Sequence, residues 1–124
     1  MLALLLTNYM DIQQMFAETI RTDASDLHLL AEVPPILRVN GKLNPIHGEA
    51  VLTPEDIERQ IFSILTSEQK DLLLTNREID FSVAITSGRF RANVYYQKNS
   101  LAAAFRLIPN RIKSIDELGI PSIC

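Results

Sequence analysis

The stretch Gly88-Arg-Phe-Arg-Ala-Asn-Val-Tyr-Tyr-Gln97, then Lys98-Asn-Ser100, then Leu101-Ala-Ala-Ala-Phe-Arg-Leu-Ile108 decides how this chain folds. Two apolar-rich runs flank a short polar break, which is the pattern of a β-hairpin. An even loop centred on Lys98-Asn99 sets Phe90 opposite Leu107, Ala92 opposite Phe105 and Val94 opposite Ala103. That face is uniformly apolar and belongs on a core. Side chains alternate between faces along a strand. The other face therefore pairs Asn93 with Ala104 and Arg91 with Arg106. Like charges directly across strands are destabilising. An anion between or above the two guanidiniums accounts for the pair. Phosphate leads the candidates, because guanidinium groups bind it through two parallel hydrogen bonds. The plainer alternatives are two solvated surface arginines, or a bulge that separates them.

Working upstream, Ile79, Phe81, Val83 and Ile85 alternate with polar or small residues, giving a half-buried strand. Before it, Thr66-Ser-Glu-Gln69 has the capping-box pattern and opens a helix that runs to Leu74 or Thr75. Thr53-Pro-Glu-Asp56 opens another, with Thr53 as N-cap, Pro54 in the first turn and an apolar stripe of Ile57, Ile61, Ile64 and Leu65. Asn40-Gly41 supplies the positive φ angles of a tight hairpin turn between Ile36–Val39 and Lys42–Ile46. Leu27 and Leu29 alternate with Asp26 and His28 in a further strand. Asp11 caps a first helix carrying Ile12, Met15, Phe16, Thr19 and Ile20 at helical spacing, which stops near Thr22. Beyond Pro109, Ser114–Gly119 is expected to form one helical turn ended by Gly119. The order is helix, three strands, two helices, three strands. Strands joined mostly by tight turns favour an antiparallel sheet with helices on one face, an α+β domain.

The chain has 124 residues, 47% of them hydrophobic, which fits one folded domain. Twelve basic against fifteen acidic residues give a net charge of −3. No basic excess is available to neutralise a phosphate backbone, so nucleic acid is not expected as a partner. The single cysteine, Cys124, rules out an internal disulfide framework and fits a reducing compartment. The apolar start, Met1-Leu-Ala-Leu-Leu-Leu6, is too short to span a bilayer and has no charged segment before it, so a signal peptide is not expected.

The sequence holds no Gly-x-x-x-x-Gly-Lys-Ser/Thr phosphate loop, no Gly-x-Gly-x-x-Gly fingerprint, no Gly-x-Ser-x-Gly elbow and no Cys/His cluster at metal-ligand spacing. Asp26 and His28 share one strand face. They fit a metal-ligand pair, an acid–base pair or, more commonly for a lone His beside an Asp, a structural hydrogen bond. Glu78 and Asp80 share a face as well, and a solvated strand edge explains them.

Six motifs follow one another: Ala24-Ser-Asp-Leu-His-Leu29, Pro34-Pro-Ile-Leu-Arg-Val-Asn-Gly41, Glu78-Ile-Asp-Phe-Ser82, Arg89-Phe-Arg-Ala-Asn-Val94, Phe105-Arg-Leu-Ile-Pro109 and Glu117-Leu-Gly-Ile-Pro121. In this order they resemble the N-terminal domain of the type II/IV secretion and type IV pilus ATPases, nearest to the twitching-motility retraction motors. The resemblance covers the chain from about Met10 to its end. It implies a PAS-like α+β domain over residues 11–112, preceded by an extension at 1–10. Residues 113–124 then begin a linker to a RecA-like ATPase core, and the chain reads as a piece of a longer motor.

It also implies a homo-hexamer in which this domain contacts the RecA-like core of its own chain and that of the neighbouring subunit. The cofactors would be ATP and Mg²⁺, held by the core, so this stretch alone is not expected to hydrolyse ATP. The pilus inner-membrane platform is the implied partner, at the cytoplasmic side and peripheral to the inner membrane. The family uses N-domain arginines that approach the terminal phosphate. By motif they are Arg91 and Arg106, with Arg89 and Arg111 as secondary or interface candidates. Retraction rather than extension or secretion is expected, because the other motors usually carry an additional upstream domain. The hairpin turn Lys98-Asn-Ser departs from the basic or glycine-containing turn frequent in the family. The competing readings are a free-standing PAS-like small-molecule sensor and a protein-interaction adaptor.

Overall fold

Asp11 opens the first helix, α1 (Ile12–Arg21), through a reciprocal cap. Its carboxylate accepts from the Gln14 backbone N–H at 2.8 Å, and the Gln14 side chain accepts from the Asp11 N–H at 2.8 Å. Two of the donors that every helix start leaves orphaned are satisfied in this way. The same device starts α2 (Pro54–Phe62) with Thr53 and Asp56, and α3 (Ser67–Asn76) with Thr66 and Gln69. The computed structural model describes residues 10–46 and 48–109. Of the expected extension at 1–10 all but Met10, together with the turn at 114–119, Arg111 and the linker at 113–124, lies outside the described residues.

The strands are β1 (Asp26–Leu29), β2 (Ile36–Val39), β3 (Lys42–Pro45), β4 (Glu78–Ile85), β5 (Gly88–Gln97) and β6 (Ser100–Ile108). They form a six-stranded sheet in the order β3-β2-β1-β6-β5-β4, every neighbouring pair antiparallel. The element order and the α+β class are those expected from the sequence. So is the long hairpin: Phe90 pairs with Leu107, Ala92 with Phe105, Val94 with Ala103, and Arg91 with Arg106. Lys98 and Asn99 both take positive φ, at 54° and 68°. Asn40 and Gly41 do the same in the β2–β3 turn, at 52° and 80°. Such turns twist in the sense of the flanking strands, which fixes the register without a bulge.

The helices cover one sheet face. Ile12, Met15, Phe16 and Thr19 form the buried stripe of α1. Phe16 lies at the centre, stacked on Phe90 at 4.6 Å between ring centroids and edge-on to Phe105 at 5.0 Å. Offset-stacked and edge-to-face pairs are favoured by the ring quadrupoles beyond the area they bury. Leu27, Leu29, Val94, Ile57, Ile61 and Leu73 complete a core of fully buried side chains. Ala102 and Ala103 are buried as well. The third helix contributes little: Leu73 is buried, whereas Leu72 and Leu74 stay about half exposed.

Candidate functional site

The face away from the helices carries the polar members of each strand's alternation. One row crosses five strands. The register pairs Ser82 with Arg91, Arg91 with Arg106, Arg106 with Asp26, and Asp26 with Arg38. The neighbouring row runs Asp80, Asn93, Ala104, His28 and Ile36. Adjacent strands lie roughly 4.8 Å apart, so each row is a ladder of side chains within reach of one another. Together the rows line an open hollow of about 1020 Å³ that includes Asp26, His28, Arg38, Arg91 and Arg106.

Arg91 and Arg106 stand side by side, both exposed, as the hairpin pattern predicts. The structure adds the reason that two like charges are tolerated there. On the far side of Arg106, the Asp26 carboxylate lies with Oδ1 3.5 Å from Arg106 Nε and Oδ2 3.3 Å from Arg38 Nε. Part of the counter-charge that the sequence assigns to a bound anion is thus supplied by the chain itself. Asp26 is 12% exposed, against 39% for Arg38 and 78% for Arg106. The Ser25 hydroxyl donates to Asp26 Oδ2 at 3.1 Å, and Arg38 Nη1 donates to the Gly41 carbonyl at 3.2 Å. Among the described residues Arg91 has no carboxylate partner.

The other sequence candidates are placed as follows. Arg89 lies on β5, two residues before Arg91 and on the same face, exposed and opposite Ile108. Arg111 lies outside the described residues. Asp26 and His28 do share a face, yet they form no hydrogen bond with each other; Asp26 answers to the two arginines, and His28 Nε2 is buried with no partner among the described residues. Among these residues no three His, Cys, Asp or Glu side chains converge as a metal site. Glu78 and Asp80 are exposed on the edge strand β4, as expected, and Asp80 also accepts from Asn93 Nδ2 at 2.7 Å across the β4–β5 pair. The sequence alone does not single out Arg38. Its alternation within β2 puts it on the polar face, but only the β1–β2 and β1–β6 pairings show that it shares a carboxylate with Arg106.

A comparison with protein-family models finds no match. Two curated proteins of Pseudomonas aeruginosa are similar over 92% of this chain. The type IV pilus retraction ATPase PilT is 33% identical and the type IV pilus ATPase PilU 29% identical. The chain covers 33% and 30% of them respectively, so it spans about a third of the length of these relatives. Among solved structures, that of the pilus retraction motor PilT with bound ADP superposes with a TM-score of 0.80 at 38% identity. That alignment covers 91% of this chain and 33% of the motor chain. Sequence and fold together therefore place this chain with the N-terminal domain of the type IV pilus ATPases.

Proposed function

We propose that this chain is the N-terminal nucleotide-sensing and assembly domain of a hexameric ATPase that powers type IV pilus retraction. In this reading residues 11–112 are the working domain and residues 113–124 lead toward a RecA-like core. Arg91 and Arg106 reach the phosphates of ATP bound by that core. The single observation that carries the reading is the direct pairing of two exposed arginines at the centre of a sheet face that the helices leave open. Their guanidiniums offer hydrogen-bond forks matched to phosphate oxygens. Charge that develops on a transferring phosphoryl group is stabilised by such donors.

The donor set fits an anion and not a divalent cation. Three arginines dominate the central row, and the described residues hold no carboxylate cluster that could bind Mg²⁺. Mg²⁺ and the phosphate cradle belong to the core in this account, and this chain's contribution is to present its arginines to the bound phosphates. The helix-side sheet face, filled by Phe16, Phe90 and Phe105, speaks against the small-molecule sensor. No helix among the described residues is long and apolar enough to cross a membrane. The proposed location is the cytoplasmic side of the inner membrane, beside the pilus platform.

The test is steady-state ATP hydrolysis by the complete motor, wild type beside Arg91→Ala and Arg106→Ala. Each variant is expected to lose about two orders of magnitude or more of turnover while still forming hexamers. Normal turnover in both variants rejects the role.

A further inference from the structure

Asp26 sits between two arginines that are held unequally. Arg38 is the anchored one: its Nε faces Asp26 at 3.3 Å, and its Nη1 is tied to the Gly41 carbonyl at 3.2 Å in the β2–β3 turn. Arg106 is the loose one. Its single ion-pair contact with Asp26 is 3.5 Å long, and its side chain is 78% exposed. Charge-assisted N–H···O⁻ hydrogen bonds close to about 2.7–2.9 Å, so neither pair is tightly made. Exposed ion pairs are also among the weakest electrostatic contacts, because solvent screens them.

A carboxylate shared in this way can release one partner without being orphaned. A largely buried carboxylate left with no partner is strongly destabilising. Here Ser25 Oγ and Arg38 remain on Asp26 if Arg106 departs. Both arginines also face the carboxylate through Nε. A guanidinium carries five N–H donors, so the terminal Nη groups of Arg106 stay free for a second acceptor.

From this geometry we infer that Asp26 is a positioning residue, the resting counter-ion of Arg106. It holds that guanidinium on the sheet until a triphosphate draws it away, and Arg38 then keeps the carboxylate paired. The inference rests on the proposed phosphate role of Arg106 and adds its regulation. Arg38 acts here without touching the phosphate. It shares the load on Asp26 and so lowers the hold on Arg106.

Side-chain ¹⁵N relaxation of the arginine Nε groups tests this, with inorganic tripolyphosphate as the probe. Without the probe, Asp26→Asn is expected to raise the mobility of Arg106 Nε. Asp26→Glu, which keeps the charge, should restore it, and Arg38→Gln should lower it. If Asp26→Asn does not fold, Arg38→Gln carries the same test with opposite sign. On titration, Asp26→Asn should tighten tripolyphosphate binding by about threefold to tenfold, the order expected for removing one nearby like charge. Arg38→Gln should weaken it by a similar factor, and the double variant should match Asp26→Asn alone. Coupling of this kind marks residues that share a partner. If the two effects simply multiply, or if Arg106 mobility ignores both substitutions, the resting pair is overturned while the phosphate role stands. If tripolyphosphate bound to the complete wild-type motor moves neither the Arg91 nor the Arg106 Nε signal, the phosphate role fails, and the exchange falls with it.

Discussion

Arg91 and Arg106 are direct cross-strand partners at the middle of the long β5–β6 hairpin. Core pairs flank them on both sides, Phe90 with Leu107 and Ala92 with Phe105. The arginines are therefore fixed from beneath. Any shift that parts them also drags phenylalanines out of the core, because a one-residue slip exchanges the two faces of a strand. The same hairpin that closes the hydrophobic core sets the spacing of the charged pair.

The aromatic centre is the first place to test this coupling. Phe16→Ala removes a ring that stacks on Phe90 and meets Phe105 edge-on. It should cost about 3–5 kcal/mol of folding stability, read as a lowered midpoint in denaturant with an unchanged slope. Leu72→Ala, on the exposed side of α3, is the control and should stay within about 0.5 kcal/mol. Equal losses in both variants would contradict the placement of the core.

The turn offers a stabilising change. Lys98 and Asn99 hold positive φ, which costs less for asparagine and glycine than for lysine. Lys98→Asn combined with Asn99→Gly should raise stability by about 0.5–1 kcal/mol. Cross-strand nuclear Overhauser contacts should be unchanged between Phe90 and Leu107. A loss of stability would mean that the turn is not of the two-residue type.

Asp56 links stability to pH. Burial alone would push its carboxyl up. The Thr53 backbone N–H, the Arg59 guanidinium and the Thr53 hydroxyl outweigh burial, and they hold it below the ordinary value of 3.8. A carboxylate lowered in the folded state adds stability that is fully present above its ordinary value. That contribution is lost as pH falls from there through the lowered value. The stability difference between wild type and Asp56→Asn should be flat from pH 7 to 5 and should shrink below about pH 4. A difference that grows on acidification would contradict this assignment.

The caps can be probed one by one. Thr53→Ala removes the acceptor for the Asp56 N–H and should cost about 1 kcal/mol. Thr66→Ala should do the same for α3 through the Gln69 N–H. Hydrogen exchange at Asp56 and Gln69 then reports which helix start has loosened.

These features were legible in the sequence because each is local. Caps are written within four residues, turns within two, and strand faces in a period of two. The hairpin register, and with it the Arg91–Arg106 pair, follows from the same local rules. Asp26 and Arg38 were not legible in their present role. Their meeting with Arg106 depends on β1 lying beside β6, a pairing between opposite ends of the fold that no turn dictates. The sequence shows Asp26 and His28 on one face but not which neighbours that face receives. The long-range pairing hands Asp26 to two arginines and leaves His28 Nε2 buried without a partner among the described residues. The modest burial of α3 was also hidden, since three consecutive leucines do not say which of them turns inward.

The most direct measurement is a structure of the complete motor with a non-hydrolysable ATP analogue bound. The account predicts a guanidinium nitrogen of Arg91 or Arg106 at about 2.7–2.9 Å from a terminal-phosphate oxygen, with Arg106 withdrawn from Asp26. Nucleotide fully bound while both guanidiniums remain on the sheet face, out of hydrogen-bond reach of any phosphate, would contradict it.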